Sequence, residues 1–509
     1  MSDASAGNKR IAKNTFFLYL RMVFTLLVSL YTTRAILNVL GVVDYGINNV
    51  VAGFVGLFSF LNASMTNTTQ RFYNFDKGKD KGRNLQDVFN TSVQIQFVLA
   101  FVTLILIECV GVWYIANKMV IPAERLSAAM WIFQFSAISL FLLFIQIPYS
   151  AAVVAHEKIG FYSVVSIIDV ILKLAIALSL PYLPGDKLIV YGAMVLCISF
   201  LNLLLYFIYA RVHFEEIRFK TSFHKKCFRS MLSFSCWNIF DTFAYTMQGQ
   251  GLNVLMNAFF GPVVNAARGV AYQVQGALSG FRESIVVAFK PQLIESYAQG
   301  DHQRTISLMY SMSKLGYLMV YVFSVPIAIE INDILSLWLN GNVPEHTSIF
   351  TILVLLNMAL GSLNMPLSLV VQAVGVIRNY QTIRSLIVVA VLPISWLALA
   401  QGAPAYSVFL ILVLANFVNQ PVSLYLLRRV FDYSYLDYTR KVILPLLVFS
   451  LLAPILPMVV HAAMDESVLR LVTVTLVSLL ASIAAAYIFV MSRSERDMVR
   501  TYVKKIMNR

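Results

Sequence analysis

The sequence predicts an all-α polytopic membrane protein with about 14 transmembrane helices, arranged as two pseudo-symmetric six-helix lobes followed by two C-terminal helices. Three observations predict this fold class. The 509 residues are 59% hydrophobic and only 13% charged, which is about half the charged fraction of an ordinary soluble domain. Apolar runs long enough to cross a bilayer recur along the whole chain. A polar helix pattern from the first half of the chain also returns in the second half.

The individual helices follow from the apolar runs, each of which can cross a hydrocarbon core about 30 Å thick as a helix. The first run is followed by no small-residue cleavage site, so we interpret it as a retained helix and not as a signal peptide. The predicted spans cover residues 14–38, 45–70, 88–115, 126–154, 161–182, 188–210, 228–255, 262–288, 305–329, 347–373, 382–400, 405–427, 442–461 and 468–491.

The linkers between these spans are short, so no large soluble domain fits between them and we expect the function to lie in the membrane-embedded part. The predicted organisation is a six-helix N-terminal lobe (1–210), a basic cytoplasmic linker (211–229), a six-helix C-terminal lobe (230–430) and a final segment (431–509) with two extra helices and a basic cytoplasmic tail.

The basic residues orient the chain. Most of the 39 lysines and arginines lie in linkers that face the cytoplasm if the N-terminus does, and the outside linkers contain only Lys118, Arg125, Lys187 and Arg470. This positive-inside pattern predicts that both termini are cytoplasmic. It also accounts for most of the net charge of +14 without a nucleic-acid partner. We expect the basic loops to attract anionic lipid headgroups.

An internal repeat relates span 2 to span 8 at a shift of 220 residues. Gly41 then aligns with Gly261, and Ser64 with Ser284. The polar residues of the two spans also share a register, since Asn48, Ser59 and Asn62 align with Arg268, Ser279 and Arg282. A shift of one six-helix unit predicts two lobes in the same orientation, a design known among secondary transporters, with the site at the interface between the repeats.

Span 8 carries the most informative pattern. On a helix, five of its polar residues fall within about 40° of one line, which we call the stripe: Arg268, Tyr272, Gln275, Ser279 and Arg282. An arginine in the bilayer centre costs about 2.5–3.5 kcal/mol even on the lenient insertion scale. The stripe predicts either an anion site in a water-filled cavity, where guanidinium groups bind phosphate, or two arginines that snorkel to the interfaces. Its alignment favours the cavity.

Other charges inside the spans are further candidates. Arg21 lies about two turns from the cytoplasmic end of span 1 and favours a cavity position, whereas Arg34 and Lys314 fit either a cavity or snorkelling. Asp169 and Lys173 are spaced i, i+4 in the favourable order for an intrahelical pair. The predicted charge partners within the spans are Asp169, Lys173, Asp241 and Glu283.

The sequence gives little support for catalysis or for a bound cofactor. The four cysteines are scattered without a CxxC pair, and no metal-ligand spacing is present. There is no GxxxxGK[ST] phosphate loop and no GxSxG elbow. We therefore predict a secondary-type transporter with no catalytic residue, no metal and no cofactor.

Two segments resemble bacterial O-antigen and polysaccharide (Wzx-like) flippases of the multidrug/oligosaccharidyl-lipid/polysaccharide exporter (MOP) superfamily. They are NTFFLYLRMVFTLLVSLYTTRAILNVLGVVDYGINNVVAGFVGLFSFLNASM and GLNVLMNAFFGPVVNAARGVAYQV, the latter followed by FKPQLIESYAQGD. The resemblance extends over nearly the whole chain. It implies rocker-switch alternating access and a substrate of undecaprenyl pyrophosphate carrying a short oligosaccharide. It also implies a place in the bacterial inner membrane, and partners among membrane lipids and other polysaccharide-assembly proteins.

The resemblance further implies a cationic cavity that contacts the pyrophosphate, with basic residues on helices 1 and 8. Arg21, Arg34 and Arg268 match that placement, and Arg282 is a further candidate on helix 8. Lys314 of span 9 completes the set of cations expected in the cavity. The polar residues expected to line the cavity are Asn48, Ser59, Asn62, Asn265, Tyr272, Gln275 and Ser279.

Two alternatives stay open at this stage. Multidrug antiporters of the same superfamily bind organic cations and often use an acidic site in helix 1, but span 1 has two arginines and no acid. A cationic cavity should repel such drugs and attract a pyrophosphate. A membrane glycan polymerase or ligase usually needs a sizeable outer loop, and the outer linkers here are short.

Overall fold

The computed structural model describes residues 2–77, 85–156, 158–217, 224–376, 378–492 and 496–497. Their regular structure is helical throughout. The first ten α-helices are α1 (Ser2–Gly56), α2 (Ser59–Lys77), α3 (Leu85–Asn117), α4 (Leu126–Ala155), α5 (Ile159–Ser179), α6 (Lys187–His213), α7 (Lys225–Thr246), α8 (Leu252–Phe260), α9 (Pro262–Ala298) and α10 (His302–Ile329). They continue with α11 (Ile331–Leu339), α12 (Thr347–Ser362), α13 (Asn364–Val374), α14 (Arg378–Ala400), α15 (Ser407–Arg428), α16 (Tyr435–Tyr438), α17 (Leu444–Leu452), α18 (Ile455–Ala463) and α19 (Val468–Ala485).

These helices confirm the predicted fold class. Eleven helical segments in the described part of the chain are long and apolar enough to cross a membrane, and the first of them joins two predicted spans at Gly41. Spans 7 and 8 correspond to α7–α8 and to α9, which are long helices but carry more polar residues. The protein is a multi-pass membrane protein with about 14 spanning helices.

The repeat between spans 2 and 8 has a backbone counterpart. Gly41 has φ 74° and ψ 171°, and Gly261 has φ 77° and ψ −173°. This conformation is essentially restricted to glycine, because a Cβ atom would clash with the backbone there. Both glycines therefore make the same sharp connection between two consecutive helices, at positions that the 220-residue shift aligns.

The chain packs into two compact units. The first contains residues 1–269 and 388–405, and the second contains residues 270–387 and 406–509. Helices α7 and α8 thus pack with the N-terminal helices. The predicted lobe boundary within 211–229 remains a prediction.

Helix α4 lies at the centre of the first unit. Phe133 and Phe144 of α4 are fully buried, and glycines on the neighbouring helices allow close contact. A Cβ atom on Gly111 of α3 would lie 2.4 Å from the Phe133 ring, and one on Gly192 of α6 would lie 2.4 Å from Ile132. Small residues at helix crossings are a common way for membrane helices to approach one another.

A charged cluster joins three connections at one end of the first unit. Arg125 donates hydrogen bonds to the carboxylates of Asp44 and Asp186. Asp186 also accepts from the backbone N–H groups of Leu188 and Ile189, at 3.0 and 3.3 Å, and so caps α6. The hydrogen bond from Arg125 lowers the pKa of the Asp186 carboxyl below its ordinary value.

This cluster predicts an acid-dependent loss of stability. Because the folded-state pKa of Asp186 is lowered, its contribution is fully present above the ordinary carboxyl pKa and disappears as the pH falls through the lowered value. Arg125→Met should lower Tm at neutral pH and flatten the decline of Tm on the acid side. Thermal unfolding of purified protein over an acid-to-neutral pH series measures both effects. An unchanged pH profile in Arg125→Met would contradict this account.

The two extra C-terminal helices belong to the second unit and pack on α10. Tyr317 of α10 bonds to the Ser450 hydroxyl at 2.8 Å, and Tyr321 donates to the Ser450 carbonyl at 2.6 Å. Toward one end of α10, Tyr438 donates to the Ser313 hydroxyl at 3.1 Å.

At the other end of α10, the carboxylate of Glu330 is fully buried. It accepts from Arg470 at 3.2 Å and contacts His461 at 2.8 Å. Since a buried carboxylate needs partners of this kind, the ends of α18 and α19 are fixed to α10.

Candidate functional site

Helix α9, which is 37 residues long, carries the predicted stripe. Arg268 and Arg282 are fourteen residues apart, which corresponds to about 21 Å along a helix. The two arginines have different surroundings. Arg268 is 8% exposed, whereas the side chain of Arg282 is 28% exposed.

Arg268 is bonded to an irregular turn. Its Nη2 donates to the carbonyl of Gly249 at 2.6 Å, and Gly249 lies in a π-helical turn, Met247–Gly251, between α7 and α8. Such turns interrupt the regular ladder of backbone hydrogen bonds and frequently occur at functional sites. A charge-assisted bond to this carbonyl ties α9 to the bend. Arg268 therefore has a structural partner in addition to any role with a ligand.

Of the two arginines, Arg282 is the more weakly paired with other residues of the protein. Its closest carboxylate oxygen is that of Glu283 at 3.9 Å, and the Glu283 side chain is 66% exposed. The Arg282 Nε is shielded from solvent and makes no hydrogen bond within the described residues. A guanidinium with such weak pairing retains most of its capacity to bind a phosphate.

The remaining stripe residues are partly buried. The Tyr272 ring lies 6.5 Å from that of Phe409, and the Ser279 hydroxyl donates to the Gly276 carbonyl at 2.7 Å. Gln275 is also partly buried. Asn265, one turn before Arg268, is completely buried and donates to the Asn253 carbonyl at 2.7 Å. Asn265 thus joins α9 to α8.

A polar contact surface joins α1 and α2 to α7, α8 and the beginning of α9, and we call it the seam. In its first part, a Cβ atom on Gly46 would lie 1.9 Å from the Pro262 carbonyl oxygen, so the two backbones touch. Asn253 donates to the Asn49 carbonyl at 2.9 Å. A Cβ atom on Gly53 would lie 2.3 Å from the Asn253 amide nitrogen.

The second part of the seam consists of small hydroxyl residues. Ser64 of α2 donates to the Ser235 carbonyl of α7 at 3.0 Å, and the Ser235 hydroxyl donates to that of Thr68 at 2.9 Å. All three side chains are fully buried. Phe60 and Phe243 meet edge to face between the two parts, with ring centres 5.0 Å apart. The seam therefore extends from Gly46 to Thr68, about 30 Å along the helices.

Two of the other charged candidates, Arg21 and Asp241, have side chains outside the described residues. Arg34 is partly exposed on α1. Lys314 is 8% exposed, and its Nζ donates to the carbonyl of Val490 at 3.5 Å, in the π-helical turn that ends the last helix. Whether these residues bind substrate stays a prediction.

The polar residues predicted for span 2 divide into two groups. Asn48 and Ser59 line a cavity of about 500 Å³ within the first unit, together with Asp169 and Lys173. The Asn62 side-chain oxygen accepts from Thr66 at 3.3 Å.

Sequence reasoning missed several polar residues that line this cavity. They lie on α4 and α6, and include Ser136, Ser139, Ser199 and Asn202. An available signal was their i, i+3 spacing, which puts two polar groups on one face of each otherwise apolar helix.

No protein-family model and no curated protein sequence matches this chain. Among solved structures, the lipid II flippase MurJ in an inward closed conformation has a TM-score of 0.68 and 14% identity, covering 96% of this chain and 100% of the flippase. The fold is that of the MOP-superfamily transporters.

Two further structures with this fold are MATE transporters. A multidrug resistance MATE family transporter of the MOP superfamily, in an inward-facing conformation, has a TM-score of 0.63 and 12% identity and covers 79% of this chain and 94% of that transporter. The eukaryotic MATE transporter AtDTX14 has a TM-score of 0.59 and 15% identity, covering 85% of this chain and 98% of its own. At these identities the likeness establishes the fold alone and does not identify the substrate.

Proposed function

We propose that this protein is a flippase that moves an undecaprenyl-pyrophosphate-linked oligosaccharide from the cytoplasmic to the outer leaflet of the bacterial inner membrane. The glycan would then serve polysaccharide or O-antigen biosynthesis. The observation that carries the proposal is Arg282, a weakly paired guanidinium on a helix that is predicted to span the membrane and that also carries Arg268. A cation that costs this much to place in a bilayer requires a ligand or water to stabilise it, and a pyrophosphate supplies the complementary charge.

The similarity to a lipid II flippase supports this substrate class, because that protein acts on a lipid-linked substrate and shares the fold over 96% of this chain. We propose that both termini lie in the cytoplasm, as the distribution of basic residues predicts. Membrane lipids and other polysaccharide-assembly proteins are the proposed partners. A membrane potential negative inside would favour outward movement of negative charge by about 2.3 kcal/mol per charge per 100 mV.

A multidrug antiporter is the second candidate, since a multidrug resistance MATE family transporter has this fold. The charges in the first unit argue against it. The Asp169 carboxylate accepts from Lys173 at 2.8 Å and from Asn202 at 2.8 Å. Its charge is therefore already balanced by an ammonium group, which leaves little attraction for an organic cation.

The seam is the proposed closure of the transport path. Alternating access requires such a surface to open and close repeatedly. In the described part of the chain, the hydrogen bonds of the seam join neutral groups, and each contributes about 0.5–1.5 kcal/mol net. As far as the described residues of the seam are concerned, α1 and α2 can thus separate from α7, α8 and the beginning of α9 without breaking an ion pair. The contact of Gly46 with Pro262 lies near the proposed outer end of these helices, and Ser64 and Thr68 lie nearer the cytoplasm.

Deleting the gene and restoring single variants tests the proposed function. We expect the deletion to accumulate lipid-linked glycan on the cytoplasmic side and the wild-type protein to restore surface glycan. Arg282→Gln should reduce export by about tenfold or more, the effect of losing at least 1.4 kcal/mol of substrate stabilisation, at an unchanged protein level. Surface glycan is measured by blotting, and the lipid-linked precursor by mass spectrometry.

Lys290→Gln is the matched control, because Lys290 is an exposed cation at the predicted cytoplasmic end of the same helix. It should export normally. Absence of precursor accumulation in the deletion strain would exclude the flippase function. Full export by Arg282→Gln would instead show that Arg282 does not bind the substrate.

A further inference from the structure

A cavity of about 500 Å³ lies within the first unit, between the second half of α1 and helices α4, α5 and α6. Its volume is in the range of small-molecule sites, about 300–1,000 Å³. Hydroxyl and amide groups converge on it from three helices: Ser59, Ser136, Ser139, Gln146, Tyr191 and Asn202. Polar side chains on membrane helices are costly unless they meet one another, water or a ligand.

The cavity wall contains an ion pair whose two charges neutralise each other. The two Asp169 oxygens accept from Lys173 Nζ at 2.8 Å and from Asn202 Nδ2 at 2.8 Å. One acid and one base leave this wall without net charge. A metal cation or a carboxylate ligand therefore gains little here, because each meets a repelling charge beside the attracting one.

Unused hydrogen-bonding capacity remains at this wall. The Asn202 side-chain oxygen is shielded from solvent and has no hydrogen-bond partner within the described residues. The Lys173 ammonium has three donor hydrogens, and its side chain is 43% exposed. The exposed ammonium can therefore donate to a neutral ligand in the cavity, whereas the shielded Asn202 oxygen can accept from one only when that side chain rotates.

Apolar groups complete the lining. Phe135 and Leu140 of α4 and Val195 of α6 face the same cavity as the hydroxyls and amides. A sugar ring has this combination of surfaces, with hydroxyl groups around its edge and C–H groups on its faces. An aromatic ring with nearby hydrogen-bonding groups suits such a ligand.

We propose that this cavity binds a neutral sugar unit of the transported glycan. The proposal rests on the proposed function, because the flipped lipid would bring the glycan to the site. The pyrophosphate and the sugar would then be held by different parts of the protein, the first by the arginines of α9 and the second by the lining of the first unit. A sugar-selective cavity gives the transporter a means to distinguish its own glycan from other lipid-linked precursors.

Ligand-observed saturation-transfer NMR on the purified full-length protein in nanodiscs tests this. The probes are free neutral hexoses, N-acetylhexosamines and 6-deoxyhexoses, with hexuronic acids and sodium chloride as competing ligand classes. We expect at least one neutral sugar to receive saturation, and Ser136→Ala/Ser139→Ala to weaken its binding by about tenfold, or 1.4 kcal/mol. Ser139→Leu, which fills the cavity, should abolish it. Tm values check that both variants fold, and Lys290→Gln should bind as the wild type does.

Saturation of no neutral sugar, or equal saturation in wild type and both serine variants, would overturn the proposal. So would a preference for hexuronic acids, or stabilisation by sodium ions that displaces the sugars. The result is independent of the flippase assay, because free sugars lack the pyrophosphate. Sugar binding without glycan export would refute the proposed function and leave the cavity assignment intact. Export without sugar binding would refute the cavity assignment alone.

Discussion

Replacing Gly46 by valine is expected to abolish glycan export. A Cβ atom at this position would lie 1.9 Å from the Pro262 carbonyl oxygen, far inside van der Waals contact. The neighbouring atom belongs to the backbone, so no side-chain rotation relieves the overlap and the helices must separate. The seam then fails to close at this end. A transporter that cannot close one side of its transport path cannot alternate between inward-facing and outward-facing states.

Cysteine accessibility measures this closure directly. In a background with the four native cysteines replaced by serine, Asn253→Cys should react slowly with a membrane-impermeant maleimide added from outside. Adding Gly46→Val should increase that rate strongly. Gly160→Val is the matched control, because a Cβ atom on Gly160 meets no other atom within 4 Å, and it should neither block export nor alter labelling. Normal export by Gly46→Val would refute the assigned closure.

Arg268→Met is expected to damage both stability and transport. It removes the charge-assisted hydrogen bond to the Gly249 carbonyl, and a hydrogen bond to a charged group contributes about 1.5–3 kcal/mol. It also removes one of the two stripe cations. Arg268→Lys keeps a positive charge that can reach a carbonyl, but it loses the planar fork that binds phosphate through two bonds. We therefore expect Arg268→Lys to retain most of the stability and to lose export.

Comparison with Arg282→Gln separates the two roles. Within the described residues, the Arg282 Nε makes no hydrogen bond and the guanidinium forms only a long ion pair with an exposed acid, so its replacement should reduce export with little change in Tm. Thermal unfolding and surface-glycan assays on the three variants give the comparison. If Arg268→Met unfolds at the wild-type temperature, the bond to the π-helical turn contributes nothing to stability. If it also exports normally, Arg268 has neither role.

Hydropathy predicted the spanning helices because long apolar runs have few alternatives to crossing a bilayer. The repeat also predicted that Gly41 and Gly261 are equivalent, and their backbone angles agree. The different roles of the two arginines of the stripe were not predictable. Arg268 and Arg282 look alike in sequence, and only the π-helical turn near Gly249 distinguishes them.

The seam and the cavity escaped sequence reasoning for a related reason. Gly46 and Pro262 are more than two hundred residues apart, and no periodicity within one helix reveals which glycine will touch a distant backbone. Similarly, Asp169 and Lys173 were recognisable as a pair, but the contribution of Asn202 depends on how α5 and α6 pack. Contacts between helices are decided by packing, which a single helix pattern does not encode.

The attachment of the C-terminal helices to α10 has a mechanical consequence. Hydrogen bonds near Ser313, at Ser450 and around Glu330 fix the C-terminal helices to α10 along about 25 Å of its length. Elements held at three separate heights can neither tilt nor slide against one another, so any displacement of α10 carries the last two helices with it. A spin label on Leu480, which is 67% exposed, would therefore report the position of α10 during turnover from the lipid side, without touching the transport path.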